Sequence, residues 1–205
     1  MVLRKSADRR KAEIVIATLR LADELGPDRL TTNAVAKAVG LTQPGIFRHF
    51  PTKHELWLAV AAHIAEKMTS AWEDVLQSRL EPQDRIEALI RVQLHQITEN
   101  PAIPAILHSR ELQSANAPLR AQFVALMTRF QSVLVEAISE GAARGVFRTD
   151  LAPRDSAILL ISLVQGLAIR WSLGQRAFSL EAEGGRLMSR QVALLKAPPQ
   201  PKEAR

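Results

Sequence analysis

Gln43, Arg48, His49 and Lys53 lie within eleven consecutive residues, and each can bond a nucleic acid in its own way. The glutamine amide carries a donor and an acceptor side by side, the pattern that meets an adenine edge in the major groove. Arg48 and His49 offer donors suited to phosphate oxygens, and Lys53 adds a point charge. Thr32 and Asn33 fall, like Lys53, where helices would begin, and helix N-termini favour phosphates. A row of solvated polar residues would have the same composition. What separates the two readings is whether local structure aims these side chains in one direction.

Other chemistries find little support. The chain has no cysteine, which excludes disulfides, thiolate metal sites and cysteine nucleophiles, and fits a reducing compartment. Its five histidines, at 49, 54, 63, 95 and 108, include no pair at i,i+3 or i,i+4, and no Glu-x-x-His motif occurs, so no metal site is expected. A Gly-x-Ser-x-Gly elbow, a phosphate-cradling glycine loop and a dinucleotide fingerprint are all missing, and the carboxylates are scattered along helix faces. Neither a catalytic residue nor a cofactor is expected, and the protein is read as a non-enzyme.

The elements that must hold the polar row are legible around it. Thr31 suits the N-cap of a helix over Thr32–Val39, and Gly40 can take the left-handed conformation that ends it. Thr42 can cap the next helix, in whose first turn Pro44 is tolerated. Val35, Ala36, Val39, Leu41, Ile46, Phe47 and Phe50 would close a small core between the two. This is a helix-turn-helix, whose second helix enters the DNA major groove.

Charge placement agrees. The net charge is +6, yet residues 1–53 hold ten Lys and Arg against five acids, while the other 152 residues are almost balanced. The excess therefore sits on the quarter of the chain that carries the motif, as phosphate binding requires. Residues 1–53 are read as a DNA-binding domain, 54–197 as a helical body and the proline-rich 198–205 as a disordered tail.

The same residues carry a resemblance. Leu30-Thr31-Thr32, Val35-Ala36, Gly40-Leu41-Thr42, Phe47-Arg48-His49-Phe50 and Pro51-Thr52-Lys53 fall without a gap into a pattern similar to the N-terminal signature of the tetracycline-repressor (TetR) family. The resemblance covers about residues 10–60 and implies an all-α fold of about nine helices, with a three-helix head on a larger body. It implies DNA contacts through Thr32, Asn33, Thr42, Gln43, Gly45, Arg48, His49 and Lys53. Two positions depart from the pattern. Phe47 stands where tyrosine is usual, which removes a phosphate hydrogen bond and leaves a packing role. Gly45 replaces a usual Thr or Ser, removing a contact while letting the backbone approach DNA closely.

Beyond the head the pattern stays helical. Helices are expected over 7–25, 52–80, 82–99, 103–113, 118–144, 153–173 and 180–196, with Thr52 and Glu55 forming a capping box at the start of the second. The run Ala157–Ile169 is apolar almost all round and needs cover on every side. Its 13 residues are too few for a membrane span, and the opening residues lack the apolar core of a signal peptide, so a cytoplasmic protein is expected. The resemblance implies a homodimer through 153–173 and 180–196, reading a palindromic operator in double-stranded DNA. It also implies an effector pocket in the body, for which Trp57, Met68, Trp72, Phe123, Met127 and Phe130 are apolar candidates and His95, His108, Arg110 or Glu111 polar ones. That stock suits a small hydrophobic or amphipathic ligand. The expected function is a repressor released by such a ligand, the alternative a ligand-independent DNA-binding protein controlled by a protein partner.

Overall fold

A computed structural model of the chain describes residues 6–197, and every regular element among them is a helix. In order these are α1 (Ala7–Leu25), α2 (Thr32–Ala38), α3 (Gln43–Phe47), α4 (Lys53–Gln77), α5 (Pro82–Glu99), α6 (Ile103–His108), α7 (Arg110–Ala115), α8 (Ala117–Ala143), α9 (Pro153–Leu173) and α10 (Leu180–Ala193). Among the described residues an isolated bridge pairs Phe147 with Lys196. The tail expected over 198–205 lies outside the described residues, as do Arg4 and Lys5 of the basic run.

The count exceeds expectation because the helix read as 103–113 is two. Ser109 adopts an extended conformation between α6 and α7, and its hydroxyl accepts the Leu112 amide as the N-cap of α7. The same hydroxyl donates to the Asp28 carboxylate, a partner 81 residues away. The sequence pattern runs to Leu80, but α4 stops at Gln77, leaving a short turn before Pro82 begins α5.

The chain forms two compact units, with boundaries inside α4, α5 and α8. Among the described residues, one combines the chain up to Thr69 with Gln96–Leu126, the other Ser70–His95 with the chain from Met127 onward. In the first, α1 packs on α2 and α6, and α2 on α3. Ile14, Leu30, Val35, Ile46, Leu56, Val60 and Ile106 are fully buried there. Asn116 ties the start of α8 to α4 by donating to the His54 carbonyl at 3.1 Å.

In the second unit Trp72 stacks on Phe130, with ring centroids 4.8 Å apart and planes inclined by 23°, and its indole donates to Gln93 Oε1 at 3.0 Å. Gly184 lets α10 close on α5, since a Cβ there would come within 2.6 Å of Leu94 Cδ1. On α9, Ala157, Leu160, Val164, Leu167, Ala168 and Trp171 are buried, at the spacing of one helical face. Leu159 and Leu173 on the far side, with Ile158 beside them, stay exposed. The whole helix, at 21 residues, is long and apolar enough to cross a membrane. The 13-residue run alone is too short for that, and buried helices of globular folds meet the same criterion; this one keeps one face in the core of its unit.

Candidate nucleic-acid interface

Two threonines set the motif's helix starts. Thr31, extended at φ −110°, accepts the Ala34 amide at 3.1 Å. Thr42 accepts the Gly45 amide at 3.3 Å, with Pro44 in the first turn of α3. Between them Gly40 takes φ +67°, a conformation costly for other residues, and the Leu41 amide returns to the Ala36 carbonyl at 2.8 Å. The caps and the left-handed turn are those the sequence indicates. At the start of α4 the Glu55 amide bonds Thr52 Oγ1 at 3.1 Å.

Ile46 and Phe50, four residues apart, turn inward and are buried with Val35 and Ala36. Val39 and Leu41 are half-buried. Phe47 corrects its expected packing role: it is 39% exposed, because it follows Ile46 by a single residue and so points about 100° away around the helix. Asn33, Thr42, Gln43 and Arg48 are exposed on α2, α3 and their flanks, while Gly45, His49 and Lys53 are half-buried. At Gly45 a Cβ would meet the Leu41 and Thr42 side chains at 3.4–3.5 Å, ordinary contact distances, so the space it leaves faces the turn.

Thr32 is placed differently from its neighbours. Its side chain is only 8% exposed, and its hydroxyl accepts a 2.9 Å hydrogen bond from Gln43 Nε2. It is therefore turned toward α3 and away from solvent. No local signal announces that pairing, which spans eleven residues.

The ligand candidates divide between the two units. In the first, Trp57, Met68 and Phe123 are buried, and Trp57 Nε1, on a side chain 1% exposed, has no hydrogen-bond partner among the described residues. His108 is exposed at the end of α6. In the second, Trp72 is buried on Phe130, and Met127 Sδ accepts from Gln165 Nε2 at 3.3 Å. His95 is exposed and meets Glu181 at 3.1 Å. Neither histidine has the burial that an anchor inside an enclosed cavity needs. No cluster of potential metal ligands occurs among the described residues.

A family model described as "Bacterial regulatory proteins, tetR family" matches residues 14–60, which span all three head helices from Ile14 of α1 onward. A second, "Tetracyclin repressor-like, C-terminal domain", matches residues 79–171. The chain belongs to the TetR family. It is a helix-turn-helix DNA-binding regulator of transcription.

Among curated relatives it is 25% identical over 157 residues to the nucleoid occlusion factor SlmA of Marinomonas sp., covering 77% of this chain and 80% of that one. It is 24% identical over 164 residues to the Haemophilus influenzae SlmA, covering 80% and 75%. Its fold is similar to that of a TetR transcription regulator from Haloarcula marismortui, with TM-score 0.80 and 22% identity over 93% of this chain and 100% of that one. It is also similar to Bacillus subtilis FadR in complex with stearoyl-CoA, with TM-score 0.75 and 16% identity over 89% and 98%. For AibR in complex with isovaleryl coenzyme A and operator DNA the TM-score is 0.74, at 20% identity over 88% and 97%.

Proposed function

We propose that this TetR-family regulator is a cytoplasmic repressor whose hold on a palindromic operator is relieved by a small hydrophobic or amphipathic effector. Residues 1–53 would contact DNA through Asn33, Gln43, Arg48, His49 and Lys53, and residues 54–197 would bind the effector and a second copy of the chain. Dimerisation would use α9 and α10, whose exposed leucines a second subunit would cover. The reading assigns no catalytic step to any residue.

The observation that carries the effector half is Trp57. A buried donor without a partner costs roughly 1–3 kcal/mol, and a ligand acceptor would recover it. Met68 and Phe123, buried in the same unit, supply apolar surface of the kind such ligands use. The effector would act by differential affinity: it favours a head spacing that no longer matches two successive major grooves, and so shifts the population off the operator.

The test is release of a fluorescent operator duplex, selected from randomised DNA, on titration with stearoyl-CoA, isovaleryl-CoA and the free fatty acids. Release that is weakened in Trp57→Phe, with DNA affinity unchanged, supports the reading. A complex that survives every compound favours the alternative, a ligand-independent DNA-binding protein under a protein partner. The SlmA relatives, named as nucleoid occlusion factors, lend that second reading its support.

A further inference from the structure

We infer that Thr32 is a positioning residue for base reading, holding the Gln43 amide in the orientation that an adenine edge requires. The inference rests on the proposal that Gln43 reads a base.

A free glutamine side chain has three torsions and a terminal amide that can present either edge. Reading adenine demands one arrangement, with the carbonyl oxygen toward the exocyclic amine and an amide hydrogen toward N7. An amide nitrogen carries two hydrogens that point apart, so one can be held by the protein while the other stays available. Thr32 meets that condition. Its Oγ1 lies 2.9 Å from Gln43 Nε2 and accepts from it, so the nitrogen end of the amide is the end that is held and the carbonyl end is left to face outward. Gln43 nonetheless stays exposed, with its carbonyl oxygen and second hydrogen able to serve DNA.

The anchor itself is well held. Thr32 occupies the first turn of α2, is 8% exposed and, being β-branched, has restricted χ1 freedom. The adjacent threonines divide two tasks. Thr31 spends its hydroxyl on the Ala34 amide and caps α2, whereas Thr32 spends its own on Gln43. Bracing before binding removes an ordering cost that a mobile glutamine would meet on the operator. It acts on the base pair that Gln43 faces and on no other.

The test begins with selection of a consensus from randomised duplexes, followed by affinities for that sequence and its single-base-pair variants. The proteins are wild type, Thr32→Val, Thr32→Ser, Gln43→Ala and the double variant Thr32→Val/Gln43→Ala. Valine keeps the shape and burial of threonine without the acceptor; serine keeps the hydroxyl. Gln43→Ala should abolish preference at particular base pairs. Thr32→Val should reduce preference at those same pairs by about two- to tenfold, the range of one net hydrogen bond. Its affinity for non-specific DNA and its melting temperature should stay close to wild type. Serine should restore the preference, and the valine change should have no effect on preference once Gln43 is alanine.

If Gln43→Ala leaves the consensus unchanged, the base-reading proposal falls, and the role of Thr32 with it. If Gln43→Ala alters the consensus while Thr32→Val does not, the positioning role alone is wrong. A loss spread evenly over all sequences in Thr32→Val also overturns it, since that is the mark of a merely structural residue. Should Thr32→Val prove unstable, Thr32→Ala compared with Thr32→Ser decides the question by the same readout.

Discussion

The Ser109 hydroxyl donates to the Asp28 carboxylate while accepting the Leu112 amide, so one side chain both breaks a helix and ties that break to the loop before α2. Ser109 is buried, and both of its bonds lie within one compact unit. Ser109→Ala removes the cap and leaves Asp28 without this donor. A lost cap costs about 1 kcal/mol, and a lost hydrogen bond to a charged group about 1.5–3 kcal/mol more at most. Urea unfolding of Ser109→Ala should therefore show a loss of about 2–4 kcal/mol. Asp28→Asn, which keeps an acceptor oxygen and the Ser109 cap, should lose less. Equal stability of Ser109→Ala and wild type would mean that neither bond contributes.

That serine also marks where the sequence stops being informative. Thr31, Gly40 and Thr42 are legible because a cap or a left-handed turn is decided within four residues of itself. The helix expected over 103–113 is broken at Ser109, whose hydroxyl reaches a carboxylate 81 residues distant. The one local hint was Ser109 followed by Arg110 and Glu111, a cap with an acid in the first turn. Thr32 is a similar case, since its type and position suit a phosphate contact, and only its pairing with Gln43 turns it inward. Phe47 shows the converse error. Its apolar character suggests core, but a five-residue helix can bury only one stripe; Ile46 fills it, and Phe50, just past the end of α3, continues it.

Glu140 gives a pH dependence. Hydrogen bonds from Arg85, at 2.6 Å, and then Arg144, at 3.1 Å, hold its carboxyl below the ordinary glutamate value. The folded chain thus binds this proton less readily than the unfolded one. Its contribution is present above the ordinary value and is lost as pH falls through the lowered one. Melting temperatures should show Glu140→Gln below wild type at neutral pH, with the gap closing on the acid side of the ordinary glutamate range. A gap that stays constant across that range would show that the carboxylate charge is not what Arg85 and Arg144 recognise.

Lys53, at the start of α4, should act through charge alone. A phosphate contact carries no sequence information, and each one contributes about one counterion to the salt dependence of binding. Lys53→Ala should weaken binding to all duplexes alike and lower the slope of log K against log salt by about one per head. Anisotropy titrations at several salt concentrations measure both quantities. An unchanged slope would remove Lys53 from the set of phosphate contacts.

The dimer proposal makes the sharpest demand on α9 and the end of α10. Leu159 is 61% exposed and Leu194 66%, so a glutamate at either position costs the isolated subunit little. Leu163, half-buried, would serve poorly, because a charge there also disturbs the subunit's own core. In a dimer packed through these helices, either exposed change buries a carboxylate against apolar surface. Sedimentation should then report monomers for Leu159→Glu and Leu194→Glu, while circular dichroism keeps the helicity of wild type. Operator binding should fall about a thousandfold or more, toward the non-specific level, because one head alone makes half the contacts. Its residual salt dependence should be shallower, as fewer phosphates are neutralised. Monomers that still bound the operator at full strength would separate dimerisation from DNA reading, and two variants that both stayed dimeric would place the subunit contact on another face of the body.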